Sequence, residues 1–170
     1  MILYTTSHGA PFGLYYNDGD SGYGAISPFR LLSMLNQLGL SNRLLIISAC
    51  HAGVFVPALR SETSAIVAAA AAERTSFGCV AENDWTFFGD AMINHGLRKP
   101  QPLAAAFAEA NALVSVWEAR VGTTPSQPQL DIGAGAARWL GALERRMPAA
   151  ATAPVGRPAL ESTRAAMTGR

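Results

Sequence analysis

The sequence predicts an α/β fold with a mostly parallel sheet, and three features of its 170 residues lead there. Short blocks of branched or small apolar residues stand at 1–6, 44–47 and 64–70, each the length of a strand buried between layers. A helical apolar stripe fills the first gap, with Phe29, Leu31, Leu32, Leu35 and Leu38 recurring at three- and four-residue spacing. Apolar residues make up 49% of the chain and charged residues 15%. That is the balance expected of a sheet covered by helices.

In order, residues 1–6 (Met-Ile-Leu-Tyr-Thr-Thr) form the first strand, broken by Gly9 and Pro11. Residues 11–24 are expected to be a loop, with Asn17-Asp18-Gly19-Asp20 as its tightest turn. Asp18 and Asp20 do not complete a calcium loop, because the twelve-residue pattern and its terminal glutamate are missing. Ser27-Pro28 starts the crossover helix as N-cap and first position, and Gly39 closes it. The block at 44–47 is the central strand, and 53–59 is a short helix whose amino terminus is expected to favour a thiolate. Residues 64–70 are a third strand, leading into Glu73-Arg74-Thr75-Ser76. Residues 83–97 read as a helix with Asp84 as N-cap, and 102–120 as a long alanine-rich helix. Residues 128–132 are a short edge strand and 134–146 a last amphipathic helix. The domain is therefore expected to span 1–146. From Met147 the chain has too few large apolar residues to fold and reads as a disordered tail, 147–170.

Two strand ends carry the chemistry. The central strand runs into Ser48-Ala49-Cys50, which places a thiol at the carboxyl end of a strand, where ligands bind in open α/β sheets. The first strand runs into Ser7-His8-Gly9. An isolated thiol titrates near about 8.5 and is mostly protonated at neutral pH, so it needs a base to become a nucleophile. His8 is that base if the two strands are parallel neighbours. The backbone N–H groups of Gly9 and Cys50 are then the donors for an oxyanion. Taken singly, a strand-end cysteine reads as a small buried apolar residue and a histidine before glycine as a turn residue. Their placement after two strands joined by one crossover helix is what makes them a candidate pair. His51 projects elsewhere from Cys50, His95 reads as a surface or interfacial residue, and Cys79 reads as a bystander.

An apolar block followed by His8-Gly9, and a second followed by Ala49-Cys50, resembles the signature of the cysteine peptidase clan that contains caspases, gingipains and legumain. Ala-Ala-Glu-Arg-Thr-Ser-Phe-Gly-Cys at 71–79 and Trp-Thr-Phe-Phe-Gly-Asp at 85–90 are similar to the legumain-type family, particularly its bacterial members. The resemblance covers about residues 2–140 and implies a caspase-like three-layer α/β/α sandwich, with His8 as general base and Cys50 as nucleophile. It also implies that Ser76 and Asp90 belong to the pocket for the substrate side chain on the amino side of the scissile bond. Ser48 falls where legumain carries a glutamate of that pocket, which leaves the preferred side chain open. In the caspase-like sheet two strands precede the histidine strand. The resemblance thus implies an N-terminally incomplete domain, a truncated or misassigned start of a longer protein, and an exposed 1–6 edge available for self-association.

The activity these residues imply is peptide-bond hydrolysis through a thioester acyl-enzyme, on a peptide or protein substrate and without a metal or organic cofactor. Two other readings stay open. One is a catalytically silent interaction module on the same scaffold, and the other a cysteine amidase or transpeptidase. A net charge of +1 gives no electrostatic case for nucleic acid, and no apolar run approaches a membrane span. As written, the chain reads as cytoplasmic, and a longer amino terminus bearing a signal or anchor would change that reading.

Overall fold

The computed structural model describes residues 1–19, 22–81 and 83–168, so the expectation for Asp20 lies outside the described residues. The chain divides into two compact units, one of residues 1–75 and 127–139, the other of 76–126 and 140–170.

The first unit is built on a four-stranded sheet. Strands β1 (Ile2–Thr6), β5 (Arg43–Ser48) and β6 (Ser64–Ala68) run parallel, and β7 (Gln129–Ile132) closes the far edge antiparallel, in the spatial order β1-β5-β6-β7. The branched side chains of β5 and β6 are buried on both faces, which is why both read as unbroken apolar runs instead of alternating ones. The crossover from β1 to β5 contains α1 (Pro28–Gln37). Its N-cap Ser27 accepts from Arg30 N at 3.2 Å, satisfying one of the free N–H groups of the first turn. Leu31 and Leu35 of α1 pack with Leu45, Ile47, Phe55, Leu59 and Ile66 in one core cluster.

The stretch expected as a loop is ordered instead. Strands β2 (Gly9–Ala10), β3 (Gly13–Asn17) and β4 (Tyr23–Ile26) form a three-stranded antiparallel ribbon. Tyr15 and Tyr16 on one side and Tyr23 and Ile26 on the other are strand formers, and the turn after β3 is fastened by Asn17 Oδ1, which accepts from Gly19 N. The glycines and polar residues of this stretch hid that pattern.

The second unit is helical. A run of three helical segments, α3 (Phe87–Gly89), a wide π turn (Asp90–His95) and a 3-10 turn (Gly96–Arg98), is followed by α4 (Leu103–Val121). The expected cap at Asp84 is corrected to Thr86, whose Oγ1 accepts from Gly89 N at 2.9 Å. Asp84 is occupied elsewhere: its carboxylate takes the Arg157 backbone N–H at 2.7 Å and the Arg157 guanidinium at 3.2 Å. Those Arg157 hydrogen bonds hold the Asp84 carboxyl below its ordinary range. Phe87 meets Trp117 of α4 edge to face at 5.8 Å. That arrangement sets the positive edge of one ring against the negative face of the other. Helix α5 (Ala134–Glu144) starts in the first unit and ends in the second.

The tail expected to be disordered is also ordered over much of its length. Thr152 N donates to Arg98 O, Val155 N to Asn94 Oδ1 and Ala159 N to Asp90 Oδ2, all at 2.9 Å, and α6 (Ala159–Thr168) follows. Polar pairing with buried groups substitutes here for the apolar bulk that the sequence lacks.

Candidate active site

Register brings the two strand ends together. Thr6 of β1 pairs with Ser48 of β5, and Ser7 N donates to Ser48 O at 3.2 Å, carrying the ladder one step further. His8 and Cys50 each lie two residues beyond that last pair, on strands about 4.8 Å apart.

Gly9 shows how tight the approach is. A Cβ at Gly9 would lie 2.0 Å from Cys50 O and 3.1 Å from the Ala49 Cβ, so a side chain cannot be admitted there without moving backbone. The turn carrying His8 rests directly on the turn carrying Cys50. His8 is also fixed from its other side, since Tyr15 N donates to His8 O at 3.0 Å. The His8 residue is exposed and Cys50 is half-buried, so a substrate can reach both.

After Cys50 the chain bends sharply. His51 has φ 57°, in the left-handed region, and a 3-10 turn (Ala52–Val54) leads into α2 (Phe55–Leu59). The left-handed conformation is unfavourable to a residue that bears a side chain. Such strain, on the order of 1–3 kcal/mol, persists only where the surroundings impose it. Here His51 N donates to Arg74 O and His51 Nδ1 donates to Ala72 O, both at 2.8 Å. These bonds commit His51 to the loop after β6 and leave His8 as the imidazole at the end of the neighbouring strand. The 3-10 turn and α2 together make the short helix expected after the nucleophile, starting two residues beyond Cys50.

Ser48, like His8, Gly9 and Cys50, belongs to the first unit, and it is buried at the end of β5. Ser76 and Asp90 belong to the second unit, Ser76 half-buried. The Asp90 carboxylate is 1% exposed and engaged on both oxygens, Oδ1 by Asn94 Nδ2 at 2.8 Å and Oδ2 by Ala159 N at 2.9 Å. Asp90 therefore anchors its own unit in this structure. His95 stacks edge-on against Trp117 with its Nε2 3.5 Å from Asp90 Oδ1, and Cys79 is exposed in a loop of the second unit.

Beside His8 stands a wall that the loop expected over 11–24 does not provide for. Tyr15, Tyr16 and Tyr23 of the ribbon join Ser7, His8 and Asn17 around an open cavity of about 440 Å³. Three tyrosines flanking the turn-forming residues 17–22 were the available signal, and reading this stretch as a loop obscured it.

A thiol and an imidazole thus stand just beyond adjacent ends of two parallel strands in an α/β sheet, backbone against backbone. The profile of the Peptidase C13 family matches residues 1–136, most of the chain. The chain belongs to that family, the legumain-type cysteine peptidases of the caspase clan, and the mixed sheet with its helices is consistent with the caspase-like fold. No curated protein sequence matches it. No described helix is long and apolar enough to cross a membrane.

Proposed function

We propose that this chain is a cysteine endopeptidase in which Cys50 is the nucleophile and His8 its base. The observation that carries the reading is the seating of Gly9 on the Cys50 carbonyl, which holds the two strand-end turns in contact. In the reaction His8 takes the thiol proton and Cys50 Sγ adds to the substrate carbonyl carbon. The resulting oxyanion is held by the backbone N–H groups of Gly9 and Cys50. Gly9 pairs with Leu14 one step from the His8–Tyr15 bond, and ladder alternation turns its N–H away from β3. Collapse of this intermediate expels the amine, which takes the proton back from His8, and water then hydrolyses the thioester. No step calls for a metal or organic cofactor. Ser48 and Ser76 stay assigned to recognition of the side chain before the cut, on the strength of their match to the family's pocket positions; Asp90 matches such a position too, but its carboxylate is taken up by Asn94 and Ala159. Peptides or proteins are the substrates this reading takes.

The direct test is alkylation by iodoacetamide at pH 5.5, read peptide by peptide in a mass spectrometer, with exposed Cys79 as internal reference. Cys50 should react about tenfold faster than Cys79 or more, and His8→Ala should abolish that advantage. Equal rates for the two thiols in the parent protein would overturn the dyad.

One observation favours self-association beside catalysis. Strand β1 has β5 as its one strand neighbour among the described residues, and Ile2 on it is 61% exposed. An unpaired apolar edge is a template for pairing with another chain. Sedimentation of the parent and of Ile2→Lys should show a concentration-dependent dimer that the substitution weakens. A parent that stays monomeric across the concentration range would dismiss it.

A further inference from the structure

Three surface tyrosines crowd one short ribbon, and their placement follows from the strand register. Tyr15 lies across from His8, since Tyr15 N bonds His8 O and the next pair is Gly9 with Leu14. Asn17 is two residues along β3 on the same face, and Tyr23 of β4 is its cross-strand partner. One face of the ribbon therefore carries His8, Tyr15, Asn17 and Tyr23 together, and these residues border the cavity of about 440 Å³. That volume lies within the range of small-ligand sites. Among the described residues none that lines it is an aspartate, glutamate, lysine or arginine, and Asn17 Oδ1 is already used by Gly19 N. The walls are aromatic faces, held in place by Phe12 edge-on to Tyr15 at 5.9 Å and by Tyr16 lying over Gly24. Tyr23 is 84% exposed. So much aromatic surface in water is unusual unless something covers it.

The chemistry fixes which part of a substrate reaches this cavity. The group that takes the thiol proton also returns it to the leaving amine, so the leaving nitrogen must come to His8. The residue built on that nitrogen then extends past His8 onto the ribbon. We infer that the cavity of Ser7, Tyr15, Tyr16, Asn17 and Tyr23 is the subsite for the substrate residue following the scissile bond, and that it selects an aromatic or large apolar side chain there. The inference rests on the Cys50–His8 reading and adds the specificity of its leaving-group side.

Partitioning of the acyl-enzyme tests it. An equimolar pool of Ac-Ala-Ala-Xaa thioethyl esters, with Xaa any residue, loads Cys50 without a side chain in the cavity. Phenylalaninamide or glycinamide is then offered against water. The entering amine nitrogen forms the C–N bond, the C–S bond breaks with its electron pair returning to sulfur, and His8 relays the amine proton to the thiolate. Cys50→Ser measures the uncatalysed background. In the parent, transfer to phenylalaninamide should exceed transfer to glycinamide by about three- to tenfold, the worth of one aromatic contact. Tyr23→Ala should bring that ratio close to unity, as should Tyr23→Thr, which keeps strand propensity. Phe29→Ala, exposed on α1, should retain the parent ratio. Turnover that depends on Cys50 with no preference between the two amines in the parent overturns the subsite and leaves the peptidase reading standing. Absence of any Cys50-dependent turnover overturns both.

Discussion

Single residues decide whether the two strand ends can meet. Gly9→Ala places a methyl 2.0 Å from Cys50 O. The displaced backbone should lower the alkylation advantage of Cys50 over Cys79 by about tenfold or more. Gly24→Ala is the matched control, because the nearest atoms to its new methyl all belong to the movable Tyr16 side chain. Thr5 offers the opposite effect. Its Oγ1 is buried with no hydrogen-bond partner, three residues before His8. Thr5→Val keeps the shape, removes the unsatisfied hydroxyl and suits a strand, so it should stabilise by about 1 kcal/mol and raise Tm by about 2–4 °C. A calorimetric scan showing a lower Tm would mean that the hydroxyl has a partner in solution. His8, Gly9 and Cys50 were legible in the sequence because each follows an apolar run, and a parallel register does the rest. Ser48 was legible as a position but not as a buried one, since burial of a strand's last residue depends on what covers it.

Elements differ in how plainly their limits were written. The start of α1 is fixed by a serine that caps and a proline that cannot donate, and both signals are local. The start of α3 was misread because Asp84 and Thr86 are both capping types, and the choice between them depends on Arg157, far along the chain. Thr86→Ala should therefore cost about 1 kcal/mol in chemical denaturation, while Asp84→Ala should leave the start of α3 in place. Asp84 has a pH consequence of its own. Its folded carboxyl titrates below the unfolded value because of the Arg157 hydrogen bonds. The stabilisation is thus fully present above the ordinary carboxylate range and is lost only as pH falls below about 4, through the depressed folded value. Amide exchange at Arg157 should stay slow through mildly acid pH and quicken below it, and Asp84→Asn should erase that step. An Arg157 amide equally exposed at pH 3 and pH 7 would dismiss the tether.

At the scale of the whole molecule, the family match ends at 136 while ordered structure continues to 168. The residues beyond it finish hydrogen bonds that the second unit has begun. Asp90 needs Ala159 N for one carboxylate oxygen, Asn94 uses both ends of its amide on Val155, and Arg98 O receives Thr152 N. Composition could not reveal this, because the pairing atoms on the tail side are mostly backbone and any sequence of these small residues supplies them. Removal of residues 148–170 would take the backbone partner from the buried Asp90 Oδ2 and both Val155 bonds from Asn94, which would keep only Asp90 and Arg98. A buried acceptor left without a partner costs about 1–3 kcal/mol. The loss should fall on the helical unit. Amide protection in α4 should drop in the shortened chain by about an order of magnitude or more, while protection in β5, whose partners β1 and β6 lie wholly within the first unit, should change far less. A tail that merely trailed in solvent would leave both unchanged, and that outcome would return residues 147–170 to the disordered segment their composition suggests.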